Sequence, residues 1–115
     1  MGVVTNINDS YQKCIDACSR CSRACYECFE ACLNEADVQE RTSCIKILAE
    51  CARMCETSAL GMSSNARFAK EHCKLCADVC NACTQECSMF RDEHCQKCAQ
   101  ECRSCANECI IMSGM

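Results

Sequence analysis

The cysteines of this chain advance in alternating steps of three and four residues. Cys14, Cys18, Cys21, Cys25, Cys28 and Cys32 form a first block with steps of 4, 3, 4, 3 and 4. Cys44, Cys51 and Cys55 form a second, with steps of 7 and 4. Cys73, Cys76, Cys80, Cys83 and Cys87 form a third, and Cys95, Cys98, Cys102, Cys105 and Cys109 a fourth, both stepping 3, 4, 3, 4. Such steps align side chains along one stripe of an α-helix. The pattern is the seam of a helical bundle with cysteine where leucine would normally stand.

Breaks in the spacing mark the loops. Asn34–Asp37 separates the first two blocks, with Asp37 as the expected N-cap of the second helix; Gly61–Asn65 follows the second block, with Gly61 as its expected C-cap. Ser88–Asp92 resets the phase before the fourth block. The sequence therefore predicts four helices near 9–33, 37–60, 65–88 and 92–112, within a single domain covering 1–115. Connections this short make successive helices antiparallel, so the expected fold class is all-α, an up-down-up-down four-helix bundle with a cysteine-lined core. One end should carry an apolar plug of Ile7, Tyr11, Ala59, Met62, Ala66, Ala69 and Met112, with Leu60 and Phe68 nearby. The other keeps Cys28, Cys32, Cys83, Cys87, Cys95 and Cys98 nearly to its edge, beside Met89 and His94, and is the expected mouth for a small ion.

Composition bears on what fills such a bundle. Leu, Ile, Val and Phe together number 17 of the 115 residues, against 19 cysteines. A conventional apolar core is excluded, and with a net charge of only −4 the shortage does not signal disorder. Either the cysteines are the core or something bound to them is. A secreted disulfide scaffold fits poorly: the cysteine count is odd, turn residues are scarce with three glycines and no proline, and the first residues lack a basic start and an apolar run. No stretch approaches the roughly 18 apolar residues of a membrane span, and no basic patch or aromatic platform invites nucleic acid. The expected location is a reducing cytoplasm, where many cysteines point to metal.

Geometry and charge narrow the metal. Cysteines three or four apart on a helix have β-carbons about 5–6 Å apart, too far for a disulfide, which wants about 3.5–4.5 Å. An ion with metal–sulfur bonds near 2.3 Å bridges sulfurs up to ~4.6 Å apart. Soft thiolates favour Cu(I), zinc or iron–sulfur clusters. Buried thiolates need compensating charge. Monovalent copper shared between bridging thiolates supplies roughly one ion per cysteine and leaves the sum near neutral, whereas an isolated zinc site on four thiolates keeps two negative charges. Leu48 interrupts the stripe of the second helix, so four convergent thiols per layer are lacking. The iron–sulfur spacing is absent. Two alternatives stand beside Cu(I): a metallothionein-like zinc buffer, and a thiol redox protein built on six C-x-x-C pairs such as Cys18/Cys21 and Cys73/Cys76. The redox motif normally sits on a βαβ scaffold, and no strand pattern is present. Beyond the cysteines, His94 and Met89 are candidate ligands; Met62 and Met112 read first as packing, with soft entry ligation as the second reading, and His72 reads as an exposed or satisfied histidine ahead of a ligand.

The four-block arrangement resembles the bacterial copper storage proteins, a cysteine-rich four-helix-bundle family, and looks most like their cytosolic branch. The matching residues are the block Cys14 to Cys32, the run Cys73-Lys-Leu-Cys76-Ala-Asp-Val-Cys80-Asn-Ala-Cys83, and His94-Cys95-Gln-Lys-Cys98 on to Cys102 and Cys105. The similarity extends from Tyr11 to Cys109. It implies a non-enzymatic store holding many Cu(I) ions on thiolates inside a homotetramer of bundles, folded before copper arrives. It further implies His94 at the copper-loading end and a copper chaperone or acceptor protein as partner.

Overall fold

The computed structural model describes residues 9–114, which form four α-helices and no strand. Helix α1 is Asp9–Leu33, α2 is Thr42–Ser63, α3 is Ala69–Cys87 and α4 is Glu93–Ser113; a 3₁₀ turn, Val38–Arg41, precedes α2. Each helix packs on two neighbours, α1 on α2 and α4, and α3 on α2 and α4. Among the described residues the backbones of the diagonal pairs stay apart, so the helices enclose a central axis in up-down-up-down order. The bundle measures 47 × 25 × 18 Å.

All 19 cysteines face that axis with at most 1 % exposure. Among the described residues only Leu48 and Met62 are larger fully buried side chains. Ala17, Ala52, Ala77, Ala99 and Ala106 are buried beside the cysteine stripes, where a methyl group lets neighbouring helices approach closely. The core is thus a column of sulfur with thin alanine walls.

Helix boundaries differ from the sequence expectation at two places, and the causes are local. Asp37 does not cap α2, because its carboxylate accepts from Arg41 Nε at 2.6 Å and its backbone leads into the 3₁₀ turn. Gly61 does not end α2; it lies buried inside the helix. A β-carbon there would stand 3.1 Å from His72 Nδ1, so glycine lets α3 come close. The helix instead ends through Asn65 at φ 51°. Asn65 N–H donates to Met62 O and Ala66 N–H to Gly61 O, the paired bonds of a Schellman ending, in which asparagine tolerates the left-handed residue. That motif consumes residues 64–66 and moves the start of α3 to Ala69.

Candidate metal centre

The antiparallel stripes of α1 and α4 interleave their sulfurs into a zigzag. Cys109 Sγ lies 3.7 Å from both Cys14 and Cys18, and Cys105 lies 3.6 Å from Cys18. Cys102 is 3.6 Å from Cys21 and 3.7 Å from Cys25, and Cys98 is 3.8 Å from Cys25. Cys95 closes the series at 3.7 Å from Cys28 and 3.8 Å from Cys32. A shorter zigzag joins α2 to α3: Cys44 with Cys87 at 3.8 Å, Cys51 with Cys80 at 3.7 Å, and Cys55 with Cys76 and Cys80 at 3.8 and 3.7 Å. Cys55 and Cys105, 3.8 Å apart, tie the two together. Every cysteine is a free thiol.

These separations suit ions rather than disulfides. Three sulfurs around one ion at ~2.3 Å stand about 4.0 Å apart, close to the separations in the ladder. Sets whose donor atoms lie within 4.8 Å of one another include Cys18/Cys76/Cys105/Cys109, Cys21/Cys55/Cys80/Cys105, Cys21/Cys25/Cys51/Cys102 and Cys25/Cys83/Cys98/Cys102. Adjacent sets share members: Cys21, Cys25, Cys102 and Cys105 each belong to two of these four. A shared thiolate must bridge, and bridging is the habit of a monovalent soft ion. Isolated zinc sites need four private ligands each.

The thiol-rich end also holds a mixed set, Cys28/Cys32/His94/Cys95. His94 Nδ1 stands 3.3 Å from Cys28 Sγ and 3.6 Å from Cys95 Sγ, while Nε2 meets Glu35 Oε2 at 2.8 Å. A carboxylate behind an imidazole fixes the ring's orientation and leaves the other nitrogen facing the thiols. Met89 belongs to the same end but is 68 % exposed on the α3–α4 connection. An open mouth was expected here, and the end is instead covered by side chains that the cysteine pattern alone did not single out. Arg41, only 4 % exposed, donates to Asp37, Asp92, Cys32 Sγ (3.7 Å) and Cys95 Sγ (3.6 Å), and lies 4.5 Å over the Phe90 ring. A sequence signal for it existed: three residues before Cys44, Arg41 continues the α2 stripe.

At the opposite end Met62, Ala69 and Met112 are buried and Tyr11, Ala59 and Ala66 partly so, as the plug requires. Leu60 and Phe68 do not join it; both lie exposed. Ile7 falls outside the described residues. The electrostatics around Cys95 oppose a free thiolate there. Burial first, and then the neighbouring Cys32, pushes the Cys95 thiol upward. Donation from Arg41 holds the Asp92 carboxyl below its usual range.

The model of the copper storage protein family matches residues 7–114. The chain belongs to that family. A Cu(I)-bound copper storage protein, BsCsp3, superimposes with a TM-score of 0.88 at 40 % identity, covering 91 % of this chain and 99 % of that one. A cytosolic copper storage protein from Streptomyces lividans, solved with five coppers, gives a TM-score of 0.87 at 35 % identity, covering 93 % and 94 %. An uncharacterised cysteine-rich protein of Bacillus subtilis strain 168, YhjQ, is 41 % identical over 76 residues, 66 % of this chain and 70 % of that protein. The family's four-helix bundle, its cysteine-rich core and its Cu(I) chemistry agree with the ladder described above.

Proposed function

We propose that this protein stores Cu(I), roughly one ion per cysteine, on the thiolates of Cys14 to Cys109 within the bundle, limiting free copper and holding it for later use. The observation that carries this reading is the sharing of thiols between adjacent donor sets. A shared set neutralises itself when each thiolate bridges two monovalent ions, and it wastes ligands on any metal that demands four of its own. The action is sequestration and not catalysis.

His94 is the proposed neutral donor at the loading end, completing a site with Cys28, Cys32 and Cys95. Met89, exposed on the approach to the same end, is proposed as a soft surface donor. The cytosolic S. lividans relative supports a cytoplasmic location; no helix among the described residues is long and apolar enough to cross a membrane. A homotetramer of bundles is proposed from the family resemblance, and the exposed Leu60, Phe68, Leu75, Ile110 and Ile111 supply apolar surface for such contacts. A copper chaperone or acceptor protein is the proposed exchange partner.

Anaerobic titration against a strong Cu(I) chelator tests the reading. Uptake should continue to a number of equivalents approaching the cysteine count. Saturation after a few equivalents overturns the store. About four or five zinc ions without copper capacity would restore the zinc buffer, by the count of four thiolates per site.

A further inference from the structure

The end of the bundle away from His94 is closed by methionine, and the register of that methionine matters. The buried stripe that runs from the 3₁₀ turn through α2 reads Arg41, Cys44, Leu48, Cys51, Cys55, Ser58, Met62, in unbroken steps of 3, 4, 3, 4, 3 and 4. The stripe of α4 reads Cys95, Cys98, Cys102, Cys105, Cys109, Met112. At the same end α4 carries a thioether, Met112, where its next thiol would fall, and α2 carries Met62 one stripe position beyond Ser58. Met62 is 1 % exposed, and its Sδ lies 3.6 Å from Cys73 Sγ. That equals the shortest thiol-to-thiol separations in the ladder.

The chemistry of a chain of bridging thiolates calls for such a donor. In an open chain with as many ions as thiolates, one end is a thiolate bound to a single ion and the other is an ion that has only one thiolate. A second thiolate there would leave an uncompensated charge in a dry core. A neutral soft donor completes the coordination without adding charge, and thioether sulfur is a ligand that selects Cu(I). Filling space alone does not require sulfur: the same helix uses leucine at Leu48.

Resting on the storage reading above, we propose that Met62 Sδ and Cys73 Sγ hold a Cu(I) ion in a mixed thioether–thiolate site that terminates the sulfur column. The apolar plug is then the last coordination layer of the store. Met62 is the neutral donor at its ion-terminated end.

Selenium-edge X-ray absorption on selenomethionine-labelled protein, loaded anaerobically to saturation with Cu(I), tests this directly. In a Met89→Leu background, which removes the proposed surface donor, one of the five remaining methionines should show a short selenium–copper path of bonding length. The path should vanish when Met62→Leu, a volume-conserving change, is added to that background and survive when Met112→Leu is added instead. Chelator titration of Met62→Leu should reach saturation one equivalent earlier than the parent. No selenium–copper path at saturation in Met89→Leu overturns the site, as does a path that persists once Met62→Leu is added. A protein that takes up no copper at all overturns the storage reading itself, a distinct outcome from full copper loading without selenium contact.

Discussion

Arg41 is the residue on which the thiol-rich end depends. It is a buried cation that joins Asp37 from the α1–α2 connection to Asp92 from the α3–α4 connection, while donating to two sulfurs of the ladder. Removing one partner of such a pair leaves the others without their compensating charge. Arg41→Leu should therefore lower the stability of the copper-free protein at pH 7 by about 1–3 kcal/mol, read from urea unfolding under reductant. The pH dependence has a definite sign. Asp92 is held below its usual range by Arg41, so its contribution is complete above the ordinary carboxylate pKa near ~3.9 and is lost as pH falls below it. The gap between parent and variant should narrow between pH 7 and pH 3; a gap that stays constant would sink the assignment. Copper loading from a small Cu(I) chelate should also be faster in Arg41→Leu, since the side chain lies over Cys32 and Cys95.

At the scale of the element, the cysteine spacing made the helices legible because a stripe of identical residues leaves no ambiguity about which face is buried. What it could not convey was the use of residues off the stripe. Gly61 looked like a terminator since glycine usually ends helices, yet its role is set by His72 across the interface, a partner visible only once α2 and α3 are paired. Asp37 looked like a cap, but the carboxylate is taken by Arg41 four residues on. The interplay at Gly61 can be measured. Alanine is favoured over glycine inside a helix by about 1 kcal/mol, but here its β-carbon meets His72 Nδ1 at 3.1 Å. Gly61→Ala should be neutral to destabilising alone and stabilising, by up to about 1 kcal/mol, in a His72→Ala background. Additive effects in that double-mutant cycle would show that the close approach carries no energy. Leu48 offers a second test on the same helix. It fills the stripe position between Cys44 and Cys51, so Leu48→Cys should add about one copper equivalent in chelator titration while costing the copper-free bundle about 2 kcal/mol or more in lost packing. Unchanged capacity would mean that position on the stripe does not suffice for ligation.

At the scale of the whole molecule, the core is stabilised in two different ways depending on what occupies it, and pH separates them. Without copper the bundle is held by protonated thiols acting as small apolar side chains. Burial opposes their ionisation, as at Cys95. A thiol whose folded pKa lies above its unfolded value contributes fully below the unfolded pKa, near ~8.5. That contribution drains away as pH rises toward the folded value. Each thiol still protonated in the folded state at pH 10 while its unfolded counterpart is ionised forfeits about 2 kcal/mol. A few such thiols exhaust much of an ordinary domain's stability of about 5–15 kcal/mol. With copper bound the sign reverses, because protons and Cu(I) compete for the same sulfurs and acid now releases the ion that holds the helices together. Anaerobic thermal unfolding should therefore show the copper-free protein weakening from pH 8.5 to pH 10 and the loaded protein weakening from pH 7 to pH 4. A copper-free bundle equally stable at pH 7 and pH 10 would mean that its thiols ionise as freely folded as unfolded, which a sulfur column sealed at both ends does not allow.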